Sequence, residues 1–218
     1  MQKQQKIKIA MLIVIGVIVL CSIGLFFRKG LLTHTTLPAP IAIDTTNQPM
    51  LGNPDAPIHL VVFEDLKCMN CASFSNTLFP TLKKKYIDTN LANYTMINLA
   101  FVPGSLPAAN AARCVYAQNP ALFFDYIEAI FKNQPPENTN WATIPTLLTF
   151  AADIKGIDSD KLAACLVQNP YQPFIENNLK MASQIMNHQV STPTVYVNGI
   201  MVTPLTEKQI EHVIDVTK

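Results

Sequence analysis

The first 29 residues of this 218-residue chain contain no aspartate or glutamate, although Lys3, Lys6, Lys8, Arg28 and Lys29 lie among them. The rest of the chain has no basic excess: 11 lysines and arginines stand against 15 acids, a net of −4. That balance excludes a nucleic-acid binder on charge grounds, because a phosphate backbone is met by clustered cations. The one basic cluster, Lys83-Lys84-Lys85, reads as the solvated face of a helix. No self-similar repeat is present, so a solenoid or array is not expected. Close histidine pairs are missing too: His34, His59, His188 and His212 are scattered. With no second Cys-x-x-Cys either, a four-ligand zinc site lacks two of its ligands.

Charge is also absent from residues 9–27, a run of 19 apolar or small residues. As a helix it is roughly 30 Å long, close to the thickness of a hydrocarbon core. A buried core helix, a cleaved signal peptide and an uncleaved anchor all give such a run. Apolar character on every side at the extreme N-terminus argues against the first. The lack of an Ala-x-Ala site before the domain argues against the second. Ile18-Val19-Leu20-Cys21 has the outline of a lipoprotein cleavage box, but Leu20 is too large for the position before a lipidated cysteine. The sequence therefore predicts an uncleaved, single-pass signal anchor. Residues 1–8 are then cytoplasmic, and the remainder faces the periplasmic or extracytoplasmic side. Disulfides persist there. Of five cysteines, Cys21 falls in the span, which leaves Cys68, Cys71, Cys114 and Cys165, an even number that suggests two pairs.

Residues 28–50 show no apolar periodicity and read as a linker. A strand is predicted over 58–63 and a helix over 72–86, with Phe74, Leu78, Phe79, Leu82 and Tyr86 on one face. Pro80 should kink that helix. A second strand is predicted over 94–102. Residues 105–188 then read as wholly helical, in segments 108–118, 121–133, 141–154, 159–167 and 171–188. A hairpin turning at Asn198-Gly199 joins strands 195–197 and 200–202, and an amphipathic helix over 205–216 follows. Phe123, Phe124, Tyr126, Ile127, Ile130, Phe131 and Trp141 read as core.

Cys68-Met69-Asn70-Cys71 sits where the first strand hands over to the first helix. Free N–H groups and the helix dipole stabilise a thiolate at such a place. A permanent bridge between these two residues closes so small a loop that it constrains the unfolded chain little. Reversible exchange is the better use of the pair. Cys68 is expected to be the exposed, attacking thiolate, and Cys71 the resolving thiol covered by the helix. Lys67 either supports that thiolate or is solvated. Met69, exposed between the cysteines, offers an apolar contact to an unfolded substrate, and Asn70 is its polar neighbour there. Thr192-Pro193 lies directly before a strand. A proline there removes a ladder donor and suits a cis bond, though a trans proline entering an edge strand fits as well. Cys114 and Cys165 fall in two of the later helices; a second, structural disulfide is expected, with two free buried cysteines as the alternative.

The cysteine motif and the proline loop occur in an order that resembles the thioredoxin fold and, more narrowly, the DsbA-like thiol–disulfide oxidoreductases. The resemblance covers residues 48–216. It rests on Gly52-Asn53-Pro54-Asp55-Ala56-Pro57, on Phe63-Glu64-Asp65-Leu66-Lys67-Cys68-Met69-Asn70-Cys71, on Leu82-Lys83-Lys84-Lys85-Tyr86-Ile87-Asp88 and on Ser191-Thr192-Pro193-Thr194-Val195-Tyr196-Val197-Asn198-Gly199. It implies an α/β thioredoxin fold in two parts, 51–104 and 189–218, with an inserted helical domain at 105–188. It also makes Pro193 the cis residue and turns Thr192 towards the disulfide, where it hydrogen-bonds an extended substrate. Glu64 becomes the proton acceptor beneath Cys71; otherwise it is a solvated charge.

The implied reaction is introduction of disulfides into reduced exported proteins, by a monomer with no metal or organic cofactor. Reoxidation falls to a membrane quinone-linked oxidase of the DsbB or vitamin K epoxide reductase (VKOR) type. One departure matters. The strongest oxidants of the family place Pro and His between the cysteines, whereas this chain has Met69 and Asn70. An uncharged Asn70 stabilises the thiolate less, so a milder oxidant is expected. Two other readings remain open: a reductase or isomerase kept reduced by a membrane electron donor, and a non-enzymatic metallochaperone or assembly adaptor using Cys68 and Cys71 as soft ligands.

Overall fold

The computed structural model describes residues 5, 11, 14–17 and 37–217. The anchor predicted over 9–27, with Cys21, lies outside the described residues but for a few isolated positions. Among the described residues no helix is long and apolar enough to cross a membrane.

The elements run in the order β1 (Met50–Gly52), β2 (Ile58–Asp65), α1 (Met69–Leu82), a π-helical turn (Lys83–Ile87), β3 (Ala92–Leu99), α2 (Leu106–Gln118), a 3₁₀ turn (Pro120–Leu122) and α3 (Phe123–Asn133). They continue with α4 (Ile144–Ala151), α5 (Ser159–Gln168), α6 (Gln172–Ile185), β4 (Thr194–Val197), β5 (Ile200–Met201) and α7 (Glu207–Thr217). Among the described residues these strands make a five-stranded sheet ordered β1-β3-β2-β4-β5. β2 and β3 are parallel, as a strand–helix–strand crossover requires, and the other pairs are antiparallel.

β2 is central because its residues suit no other place. Seven of its eight residues are buried, with only His59 exposed. Such a run must be covered on both faces. Val61 and Phe63 point to one face, where they join Ile97, Leu99 and Tyr196 beneath Ala182 of α6. Leu60, Val62 and Glu64 alternate to the other face, towards α1. On that side Lys85, just past α1, pairs with Glu211 of α7. Phe63 is fully buried and meets Tyr196 edge-on, with ring centroids 5.8 Å apart. Truncating it to alanine should cost about 3–5 kcal/mol.

Several boundaries differ from those predicted, each for a local reason. The redox helix begins at Met69 rather than 72, with Cys68 as its N-cap. It runs through Pro80, and the irregularity appears as the π-helical turn at Lys83–Ile87. β3 stops at Leu99 instead of 102, because Asp65 accepts the N–H groups of Phe101 and Val102, both at 2.9 Å, and draws the chain out of the sheet. α6 ends at Ile185, just before Asn187 and His188, whose φ values of 51 and 64 are left-handed.

α6 lies on the sheet, so the inserted block as drawn to residue 188 contains a helix that covers the strands. The later part of the predicted linker is not free. Ile41 N–H donates to Gly199 O at 2.9 Å, Gln48 Nε2 donates to Asn178 Oδ1 at 2.7 Å, and Ile43 packs on the Phe63 cluster. Gly199 cannot be replaced there: its φ is +81, and a Cβ would come within 2.3 Å of the Ile41 carbonyl oxygen.

Candidate active site

Three chain segments meet at the N-terminus of α1. The first is the end of β2. Asp65 is fully buried and accepts four hydrogen bonds: from the N–H groups of Lys67, Phe101 and Val102, and from Ser105 Oγ at 2.8 Å. Its backbone carbonyl also accepts from Cys68 N–H at 3.0 Å. One carboxylate thus fixes the turn before the motif and the loop after β3. Burial nonetheless pushes its carboxyl above the ordinary value, against those hydrogen bonds.

The second segment is the motif itself. Cys68 caps the helix in extended geometry, with φ −71 and ψ 121, and Cys71 is the third residue of α1. Both are free thiols. Cys71 is fully buried; Cys68 is only 6% exposed, less than predicted. The cover over Cys68 comes from the third segment, where the Thr192–Pro193 peptide is cis. Cys68 Sγ lies 3.5 Å from the Thr192 carbonyl oxygen. That contact suits a thiol, whereas the Thr192 side chain favours the thiolate; its buried hydroxyl has no hydrogen-bond partner among the described residues.

The net result is an asymmetric pair. The Cys71 thiol, hydrogen-bonded to Cys68, is the main cause that lowers Cys68 from 9.0 to about 6. Burial opposes it, and Thr192 and the N–H groups of Cys71 and Asn70 add to it. Burial is the main cause that holds Cys71 well above the ordinary thiol value, followed by its hydrogen bond to Cys68 and the charge of Glu64. Glu64 is also buried, and burial lifts its carboxyl to about 8 even though Tyr94 OH donates to Oε1. Glu64 Oε2 has no partner among the described residues. Glu64 also lines a cavity of about 430 Å³, walled by Phe79, Tyr94, Met96, Phe124 and Phe131.

Cys68, Cys71, Glu64, Thr192 and Pro193 are therefore brought together, with Met69 and Asn70 exposed at the rim. Lys67 is corrected: it is 4% exposed rather than solvated, and its Nζ donates to Pro103 O at 2.8 Å instead of supporting Cys68. Cys114 and Cys165 lie apart from the site, joined as a disulfide between α2 and α5. Sequence reasoning missed Asp65 as the organiser of the loops; an acid closing an otherwise apolar strand was the available signal. It also missed two residues after α3. Gln134 Nε2 donates to Leu66 O at 2.8 Å, and Glu137 Oε2 accepts from Met69 N–H at 2.9 Å. Both lie 68 residues along the chain from their partners, and no local pattern marks them.

Comparison with known proteins agrees with this geometry. A sequence profile described as thioredoxin matches residues 44–216. Disulfide bond formation protein D of Bacillus subtilis is 34% identical over 152 residues, which is 69% of this chain and 68% of that protein. The crystal structure of oxidised BdbD from B. subtilis superposes with a TM-score of 0.75 at 30% identity, covering 84% of this chain and 97% of that one. Chlamydia trachomatis DsbA superposes with a TM-score of 0.74 at 31% identity, covering 82% and 96%. A dithiol at a helix start, a facing cis-proline and this degree of likeness place the chain in the thioredoxin family, among its DsbA-like disulfide oxidoreductases.

Proposed function

We propose that this chain is a mild, membrane-anchored oxidant of exported proteins, acting through Cys68 and Cys71. It introduces disulfides by dithiol–disulfide exchange, in keeping with its likeness to proteins named for disulfide bond formation. The observation that carries the oxidant reading is the opposite displacement of the two thiols, Cys68 down to about 6 and Cys71 well up. A stabilised thiolate favours the reduced dithiol and so makes the disulfide an oxidant.

In the oxidised form, a substrate thiolate attacks Cys68 Sγ. The Cys68–Cys71 bond breaks, and Cys71 leaves as a thiolate that takes a proton. Glu64, still protonated near neutral pH, is the nearby donor. The second substrate thiolate then attacks the substrate sulfur of the mixed disulfide, and Cys68 departs as a stable thiolate. Two electrons pass from the substrate dithiol to the cysteine pair. A groove of about 510 Å³ beside Pro193, with Met186 and Met201 in its walls, suits an unfolded apolar segment.

The anchor at residues 9–27 keeps the site at an extracytoplasmic membrane surface. A monomer there meets a quinone-linked reoxidase of the DsbB or VKOR type. The test is trapping with Cys71→Ala in cells. Mixed disulfides on Cys68 should accumulate with exported proteins and with a membrane oxidase. If Cys68 carries none, exchange through this cysteine is refuted.

A further inference from the structure

The loop between α3 and α4 reaches back over the redox centre. Glu137 Oε2 accepts the Met69 N–H at 2.9 Å, and Gln134 holds the same loop to the Leu66 carbonyl. Met69 is the first residue of α1, so its N–H is one of the N-terminal donors with no partner inside the helix. A carboxylate on that donor sits at the positive helix end that also serves Cys68.

Charged and titratable groups surround Cys68 from several elements. Cys71 lies on α1, and Glu64 and Asp65 close β2. Lys67 precedes the helix with its ammonium on the Pro103 carbonyl. Glu137 comes from the inserted block. Thr192 contributes only neutral polar groups. Of the acids, Glu64 and Asp65 are buried, whereas Glu137 lines an open groove of about 490 Å³ with Lys67, Met69, Val102, Pro103 and Asn138. Met69 is 58% exposed, so the groove offers an apolar floor and one accessible anion.

We propose that Glu137 sets a charge preference for substrates, so that cysteines flanked by lysine or arginine are oxidised faster than those flanked by acids. The proposal rests on exchange at Cys68 as described above. When the mixed disulfide is resolved, the bond between Cys68 and the substrate sulfur breaks, and the electron pair stays on Cys68 as a thiolate. The Glu137 charge opposes that thiolate. A substrate cation seated in the groove pairs with Glu137 and relieves the opposition; a substrate acid adds to it.

The experiment uses the oxidised full chain and three dithiol peptides that differ only in carrying Lys, Gln or Glu beside the cysteine. Second-order oxidation rates are compared between wild type and Glu137→Gln, which keeps an acceptor for the Met69 N–H. Wild type should favour the Lys over the Glu peptide by roughly three- to tenfold, the range spanned by exchanging an exposed ion pair for a like-charged one. That preference should shrink as salt rises. Glu137→Gln should bring the ratio to within about twofold and move the equilibrium with glutathione about threefold towards the reduced protein. An equal ratio in both proteins, or no preference in wild type at low salt, overturns the proposal. The Gln peptide separates the two levels: if wild type oxidises it, exchange at Cys68 stands whatever happens to the charge preference, and if not, both fall.

Discussion

Replacing Glu64 by glutamine should flatten the pH dependence of stability between about pH 5 and 8. In the folded chain burial lifts the Glu64 carboxyl from 4.5 to about 8. Unfolding returns the group to water and to its ordinary value. Between the two values the folded state holds the extra proton, so stability falls as pH rises. The slope approaches about 1.4 kcal/mol per pH unit in mid-window and vanishes above about pH 8. From pH 5 to pH 7 the loss comes to about 2.5 kcal/mol. Glutamine can still accept from Tyr94 OH but cannot ionise.

The assay is urea unfolding of the oxidised full chain at pH 5, 6, 7 and 8, beside Glu64→Gln. In the oxidised form Cys68 does not titrate. Burial, the leading cause of the Glu64 shift, remains, and the smaller push from the Cys68 charge is gone. Asp65 is also raised, but it contributes to both proteins and cancels in their difference. The variant should gain about 2 kcal/mol on wild type between pH 5 and pH 7. Parallel curves would refute a buried, protonated Glu64 and, with it, the proton source assigned to Cys71.

Two further outcomes test other parts of the structure. Asn70→His places a cation in the first turn beside the Cys68 thiolate. It should lower the thiolate's titration, followed by its ultraviolet absorbance, by about one unit and make the disulfide about tenfold more oxidising against glutathione. An unchanged equilibrium would show that the residues between the cysteines do not set the poise. Replacing Cys114 and Cys165 together by serine opens a bridge across a sequence separation of 51. Thermal and denaturant unfolding should show a loss of about 4 kcal/mol on the loop-entropy account. The Cys68–Cys71 equilibrium should not move, because that bridge lies in α2 and α5.

Local signals carried most of what is correct in the sequence-based picture. Cys68 and Cys71 could be placed at a helix start because an apolar strand precedes them and a periodic face follows. Asn198-Gly199 marked its hairpin through a turn that needs positive φ, and both residues have it, 48 and 81. What escaped is set by long-range contacts. β1 is three residues with little pattern of their own, and it is a strand only because β3 offers an edge. Lys67 looks solvated in sequence; only the fold brings the Pro103 carbonyl to it. Glu137 meets Met69 because the helical block folds back, and nothing near residue 137 announces that.

The arrangement of charge explains why the pair works asymmetrically. Cys68, Cys71 and Glu64 are three acids in one buried region, and the adjoining Lys67 spends its ammonium on a carbonyl. Each negative charge raises the cost of the next: the Cys68 charge is among the causes that lift Glu64, and both lift Cys71. Near neutral pH these three groups together therefore carry one negative charge rather than two or three. It settles on Cys68, which collects the hydrogen bond from Cys71, the Thr192 side chain and the first helical N–H groups. Cys71 ends protonated, and Glu64, raised to about 8, holds the proton it passes to the departing Cys71 sulfur and regains one from solvent. When the disulfide opens, the leaving group inside the protein thus has a proton to take, and the sulfur facing the substrate can leave without one. An uncompensated second anion would have to be desolvated at several kcal/mol. The helix N-terminus and the loop around Pro193 accordingly decide which sulfur attacks and which resolves, and the four residues of the motif do not settle it alone.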